Sequence, residues 1–183
     1  MTINFHPLNK HDINYSKVID LFFEAFPKTQ HLPQWIVKYR MRNGKDGFDV
    51  LYEHNNWIGF IYAKAYKDII FVKFFAISES LRSSGYGSKV MNSMGNKYSD
   101  KRIVLNIEEL CEKEENNQQR VKRKAFYESN GFNSTGFIIN ELGERQEMLI
   151  RGGTLSKQEI ESMYRHFLGN FLFSLIKPEV LQI

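Results

Sequence analysis

Phe74-Phe75-Ala76-Ile77-Ser78-Glu79-Ser80-Leu81-Arg82-Ser83-Ser84-Gly85-Tyr86-Gly87-Ser88-Lys89 joins a buried strand to a helix through a glycine-rich turn. Apolar residues run out at Ile77, and the spacing predicts a helix from Ser83 to Tyr98 that opens on Gly85 and Gly87. The first N–H groups of a helix have no intrahelical partner and carry the positive end of its dipole. Phosphate oxygens can accept from them, and glycines keep side chains out of the way. Arg82 and Lys89 add positive charge around the turn. A pyrophosphate is therefore a good candidate ligand. The string G-x-x-x-x-G-K-[ST] does not occur, which excludes a P-loop. Gly85-Tyr86-Gly87-Ser88-Lys89-Val90 lacks the third glycine of a dinucleotide fingerprint.

Upstream, Phe48 to Glu53, Trp57 to Tyr66 and Ile69 to Ser78 read as strands. The turns His54-Asn55-Asn56 and Lys67-Asp68 are short, so these neighbours are antiparallel. Ile69 to Ile77 is almost continuously apolar, as in a central strand covered on both faces. Downstream, Arg102 to Ile107 is a further buried strand, and strand–helix–strand order implies a right-handed parallel crossover. A polar segment, Glu112 to Gln119, leads into a helix that ends near Ser129, with Gly131 as its left-handed cap. Phe132 to Asn140 and Glu144 to Arg151 form a hairpin around Glu141-Leu142-Gly143. A last helix, Ser156 to about Phe173, carries a Ser156/Glu159 capping box. Ile160, Met163, Tyr164, Phe167, Leu168, Phe171 and Leu172 lie on one of its faces. At the N-terminal end a strand from Thr2 to Pro7 precedes a helix capped by Asp12 or Asn14 and stopped at Phe26 by Pro27. A second helix is predicted from Pro33 to Arg42. This order defines a mixed α/β domain.

The chain has 183 residues, 42% of them apolar, including 15 Phe and 9 Tyr, which suits one compact domain with an aromatic core. The net charge of +4 suits an anionic ligand and is too small to argue for nucleic acid. Cys111 is the single cysteine, and the histidines show no H-x-x-x-H spacing, so neither a disulfide nor a metal site is expected. No signal peptide or membrane span is read, and a cytoplasmic location is expected.

Arg82-Ser83-Ser84-Gly85-Tyr86-Gly87 resembles [RQ]-x-x-G-x-[GA], the acyl-CoA pyrophosphate motif of the GNAT superfamily of N-acetyltransferases. Ala125-Phe126-Tyr127-Glu128-Ser129-Asn130-Gly131-Phe132 is similar to that family's second signature, F-Y-E-x-x-G-F. Ala25-Phe26-Pro27 early and Arg123-Lys124-Ala125-Phe126-Tyr127 late resemble a bacterial branch of the superfamily. The resemblance implies an α/β (α+β) GNAT-like fold: a mixed, mostly antiparallel central sheet with a splayed parallel pair and helices on both faces. It implies one domain over residues 1–183, with 154–183 as a C-terminal helical extension able to complete the core, cover the acceptor site or build a homodimer.

The implied reaction is direct transfer of an acetyl group from acetyl-CoA, as cosubstrate and without a metal, to a primary amine. The main chain of Phe75, Ala76 and Ile77 would hold pantetheine. The amides of Arg82, Ser83, Ser84, Gly85, Tyr86, Gly87 and Ser88 would hold the pyrophosphate. A backbone N–H near Ile77 would meet the oxyanion, and Tyr127 would serve as the acid for the departing thiolate. Glu109 is the candidate base, with Glu108 and Glu24 as alternatives. The family often places an asparagine where this chain has Arg120, so Arg120, Lys122, Arg123 and Lys124 are candidates for the CoA phosphates. The same basic run is the sequence support for a nucleic-acid-binding reading. A non-catalytic acyl-CoA-binding module is the alternative to the enzyme. The acceptor, a small molecule or a peptide, is expected near Gln30, His31, Gln34 and Trp35, with neither nucleic acid nor membrane as partner. Glu112, Glu114 and Glu115, with Glu108 and Glu109, would favour a cationic amine or form a solvated acidic loop.

Overall fold

The computed structural model describes residues 3–26, 41 and 47–183. The predicted helix Pro33 to Arg42 and the residues Gln30, His31, Gln34 and Trp35 lie outside the described residues, except Met41, which is buried. The fold is mixed α/β and mostly antiparallel, with one parallel strand pair. Contacts divide it into two compact units, residues 1–64 with 72–99, and residues 65–71 with 100–183.

In the first unit the strands β1 (Ile3–Pro7), β2 (Phe48–Glu53), β3 (Asn56–Tyr66) and β4 (Ile69–Ile77) lie side by side in that order. Ile3 pairs with Glu53 and Pro7 with Asp49, and Phe48 pairs with Tyr62. The β2–β3 register shifts between Leu51 and Tyr52, where Leu51 faces Gly59 and Tyr52 faces Trp57. Ile58 is thus an extra residue, a β-bulge. Its carbonyl accepts from the Ser78 N–H at 2.9 Å, which ties the bulge to the end of β4.

Helix α1 (Tyr15–Ala25) buries Val18, Leu21 and Phe22 on one stripe. Asn14 is its N-cap residue, but the Asn14 amide donates to the Tyr52 hydroxyl at 2.5 Å instead of closing a cap. Phe26 is extended (φ −121°, ψ 122°), as expected of a residue before proline. Phe22 sits among the rings of Phe26, Phe48, Phe60 and Phe74, at 4.9 Å from Phe74. The unit's second described helix, α2 (Tyr86–Lys97), buries Val90, Met91 and Met94.

The second unit holds the Lys67-Asp68 turn, the opening residues of β4, and β5 (Arg102–Glu108), β6 (Asn133–Glu141), β7 (Glu144–Arg151) and β8 (Glu179–Gln182). From that start of β4 the strand order is β5, β7, β6, β8. Leu142 and Gly143 have φ of 54° and 86°, so the β6–β7 hairpin closes through a two-residue turn with both central residues left-handed. Helix α3 (Asn117–Ser129) ends where Gly131 adopts φ 83°, as its predicted cap role requires.

The last helix, α4 (Lys157–Ile176), differs from the expectation. It opens with the predicted Ser156/Glu159 capping box, and Ile160, Met163, Tyr164, Phe167 and Leu168 are buried. Phe71 meets the rings of Tyr164 and Phe167 at 5.3 and 5.2 Å. Gly169, however, has φ 77° and ψ 159° and breaks the helix. The break rotates the stripe, so Phe171 is 81% exposed instead of buried. Segment 154–183 is also more than a helical extension: β8 pairs antiparallel with β6, Val180 facing Ile139.

Arg102 clamps the second unit. Its guanidinium donates to both Asp68 oxygens, to the Thr154 carbonyl and to Glu159 at 2.7 Å. Arg102 and Ser156 hold the Glu159 carboxyl down from its ordinary 4.5 to about 2, and Arg102 also lowers Asp68. A carboxyl whose folded pKa is depressed adds stability above its unfolded pKa and loses it as pH falls through the folded value. The melting temperature should therefore drop between pH 4.5 and about 2, and Glu159→Gln should flatten part of that drop while retaining a capping side chain. A variant curve parallel to the wild type across that window would contradict this role.

Candidate active site

Chain direction and backbone hand build the cradle. β4 ends at Ile77, a single 3-10 turn covers Glu79–Leu81, and Arg82 is extended (φ −64°, ψ 152°). Ser83 (φ 61°) and Gly85 (φ 80°) then take left-handed conformations. The helix consequently opens at Tyr86 with Gly85 as N-cap, and not at Ser83 as expected. Among the described residues, the N–H groups of Ser83 to Ser88 donate to no protein acceptor. Successive N–H groups on such a turn form an anion-binding concavity. A Cβ placed on Gly85 would meet nothing within 4 Å, so the space over the turn is open. Positive φ, not crowding, is what calls for glycine there.

β3 seats the strand that leads to the cradle. A Cβ on Gly59 would lie 2.1 Å from the Ala76 carbonyl oxygen and 3.0 Å from the Ile77 Cα. Only glycine lets the two backbones approach so closely. Phe75 and Ile77 are half-buried and Ala76 is buried.

The cations around the turn are not free, contrary to the sequence-based expectation. Lys89 donates to Glu53 Oε1 at 2.8 Å, and the Tyr86 hydroxyl donates to Glu53 Oε2 at 3.0 Å. The Lys89 hydrogen bond holds the Glu53 carboxyl below the usual range, and Glu53 in turn raises Lys89 and Tyr86. Arg82 donates through Nε to the Ile77 carbonyl at 3.2 Å and through Nη2 to Glu24 at 2.6 Å. The cradle therefore presents backbone dipoles more than uncompensated charge. Sequence reasoning gave Glu53 no role, although a carboxylate ending an apolar strand was its signal.

The candidate catalytic residues lie in the second unit. Tyr127, in the last turn of α3, is buried, with the rings of Phe126 and Phe132 edge-on at 5.0 and 5.6 Å. Among the described residues its hydroxyl makes no hydrogen bond. Burial pushes its pKa up to about 12, against a smaller lowering by Arg123. Glu109 directly follows β5, and Arg145 grips it with Nε at 2.5 Å and Nη2 at 3.0 Å. That pair lowers the Glu109 pKa and makes it a weaker base. The alternatives are also engaged by arginines, Glu108 by Arg123 and Glu24 by Arg82.

Three of the four basic residues in the α3 run, Arg120, Arg123 and Lys124, are likewise paired. Arg120 donates to the Glu109 carbonyl at 2.8 Å, to the Asn116 side chain at 2.8 Å, and pairs with Glu114. Lys124 pairs with Glu147, which is 5% exposed. These engagements weaken both the CoA-phosphate and the nucleic-acid readings of that run. Among the described residues, no helix is long and apolar enough to cross a membrane.

A strand that runs into a left-handed, glycine-bearing turn defines the class as an α/β fold with an anion cradle. Residues 44–134 match the profile described as acetyltransferase (GNAT) domain, and the chain belongs to the GNAT acetyltransferases. A GNAT-family protein from Bacteroides thetaiotaomicron, described as an acetyltransferase, superposes with a TM-score of 0.69 at 20% identity, over 93% of this chain and 98% of that one. The ribosomal-protein-S18-alanine N-acetyltransferase of Escherichia coli gives 0.58 at 14% identity, over 86% and 97%. Arabidopsis thaliana Naa50, in complex with the bisubstrate analogue CoA-Ac-MVNAL, gives 0.56 at 16% identity, over 84% and 100%. At these identities the likeness carries the fold. No curated protein matches the sequence.

Proposed function

We propose that this acetyltransferase uses acetyl-CoA and transfers the acetyl group to the nitrogen of a primary amine. The observation that carries the reading is the turn at Ser83 and Gly85, which leaves the N–H groups of Ser83 to Ser88 without protein acceptors among the described residues. Those donors fit a pyrophosphate. The main chain at Phe75, Ala76 and Ile77, seated by Gly59, fits the amides of a pantetheine arm. The CoA-linked analogue bound to Naa50 supports the coenzyme, and the alanine named for the Escherichia coli enzyme supports an amine acceptor. The profile match draws residues from both compact units, which favours one catalytic domain over residues 1–183.

In the reaction the neutral amine attacks the thioester carbonyl, the C–S bond breaks, and the coenzyme leaves as a thiolate. A backbone N–H near Ile77 meets the oxyanion; the Ser78 N–H is already used by Ile58. Tyr127 is the proposed acid for that thiolate. A thiol ionises near 8.5, so a phenol at about 12 does not give up its proton outright. It donates a hydrogen bond that strengthens as charge develops on sulfur. Glu109 takes the amine proton after the incoming ammonium replaces Arg145 at its carboxylate. Both side chains are partly exposed, 31% and 48%, which leaves room for that exchange.

Calorimetric titration with acetyl-CoA tests the reading. The double variant Gly85→Glu/Gly87→Glu places carboxylates and strained backbone in the cradle, and binding should fall at least about tenfold. A folded wild-type chain that does not bind acetyl-CoA would sink the proposal.

A further inference from the structure

Resting on that reading, we infer that Glu24 is an internal competitor for Arg82, and that Arg82 exchanges the Glu24 carboxylate for a coenzyme phosphate. The two cations beside the cradle are held very differently. Lys89 pairs with a Glu53 side chain that is only 9% exposed and also accepts from Tyr86. Arg82 and Glu24 are 44% and 49% exposed and meet at the surface. Exposed pairs of this kind are weakly held and screened by salt. A guanidinium has five N–H donors, and the bonds to Ile77 and Glu24 use two of them. Nε can stay on the Ile77 carbonyl while the terminal nitrogens change partner. A pyrophosphate carries two negative charges against one on a carboxylate, and its oxygens match the guanidinium fork. Arg82 is therefore the cation beside the cradle that can be released, and Glu24 sets how readily.

The arrangement gives the coenzyme site a link to α1. Glu24 lies in the last turn of that helix, and Arg82 spans from it to the end of β4. Coenzyme binding should cut the tie to α1 and leave the strand end anchored.

The experiment is calorimetric titration of acetyl-CoA into the wild type, Glu24→Gln, Arg82→Gln and the double variant, at low and high salt. S-acetyl-pantetheine, which has no phosphate, is the second probe. Glu24→Gln should bind acetyl-CoA about two- to fivefold more tightly at low salt, with the gain shrinking at high salt. Arg82→Gln should bind about tenfold more weakly, and most of the Glu24→Gln gain should vanish in that background. S-acetyl-pantetheine should not distinguish Glu24→Gln from the wild type. Unchanged or weaker binding by Glu24→Gln would overturn the inference. So would an equal gain with and without Arg82, because Glu24 would then act only through its field. If the wild type binds and the Gly85→Glu/Gly87→Glu variant does not, such a failure leaves the coenzyme reading standing. If the wild type does not bind, both fall.

Discussion

Tyr127→Phe should lower kcat by about ten- to hundredfold and leave acetyl-CoA affinity within about twofold. The estimate follows from the hydroxyl alone. A hydrogen bond to a charged partner is worth about 1.5–3 kcal/mol, and each 1.36 kcal/mol of barrier is about a factor of ten. The hydroxyl has no hydrogen-bond partner among the described residues, so its removal leaves no buried group unpaired. The ring packing against Phe126 and Phe132 is retained, and stability should hardly change. With a phenol pKa of about 12, the loss should be constant between pH 6 and 9. Release of the coenzyme thiol, followed beside calorimetry, reads both quantities. A kcat unchanged in the variant would remove Tyr127 from the reaction.

Phe22→Ala should cost about 3–5 kcal/mol of folding stability. Phe22 is 0% exposed, and its ring lies 4.9 Å from Phe74 and 6.0 Å from Phe60. Removing it opens a cavity between α1 and three strands that are anchored by their own ladders and cannot collapse into it. Against a typical total of about 5–15 kcal/mol, the change is large. Phe74 directly precedes Phe75, Ala76 and Ile77, so the cavity also loosens the strand end proposed to hold the coenzyme. Urea unfolding measures the cost, and Phe22→Leu, which keeps most of the volume, should lose far less. Equal losses in the two variants, or less than about 1 kcal/mol in Phe22→Ala, would contradict the packing argument.

Much of this was legible locally. Strands Phe48–Glu53 and Glu144–Arg151 have the bounds their alternation predicts, and Gly131 caps α3 as its position after Asn130 implies. The Ser156/Glu159 box forms because both partners lie within one turn. Gly59 carried a readable signal too, since a glycine inside an apolar strand marks a close backbone approach. Where periodicity was the guide, it failed at backbone hand. Ser83 was expected to open a helix and is left-handed, and the stripe through Phe171 and Leu172 ignored the break at Gly169. β8 was missed because four residues are too few for alternation to register, and its pairing with β6 is made across the chain.

The order of the described elements up to α4, the family motifs and the glycine turn follow from the sequence alone, because each depends on residues within a few positions of one another. Which charges are available depends on tertiary contacts. Arg82, Lys89, Arg123 and Lys124 read as free cations, and each meets a carboxylate brought from another element. Glu109 read as a free base, and Arg145 from the facing strand holds it. An ion pair depends on where two distant side chains end in space, and hydrophobic periodicity carries no information about that.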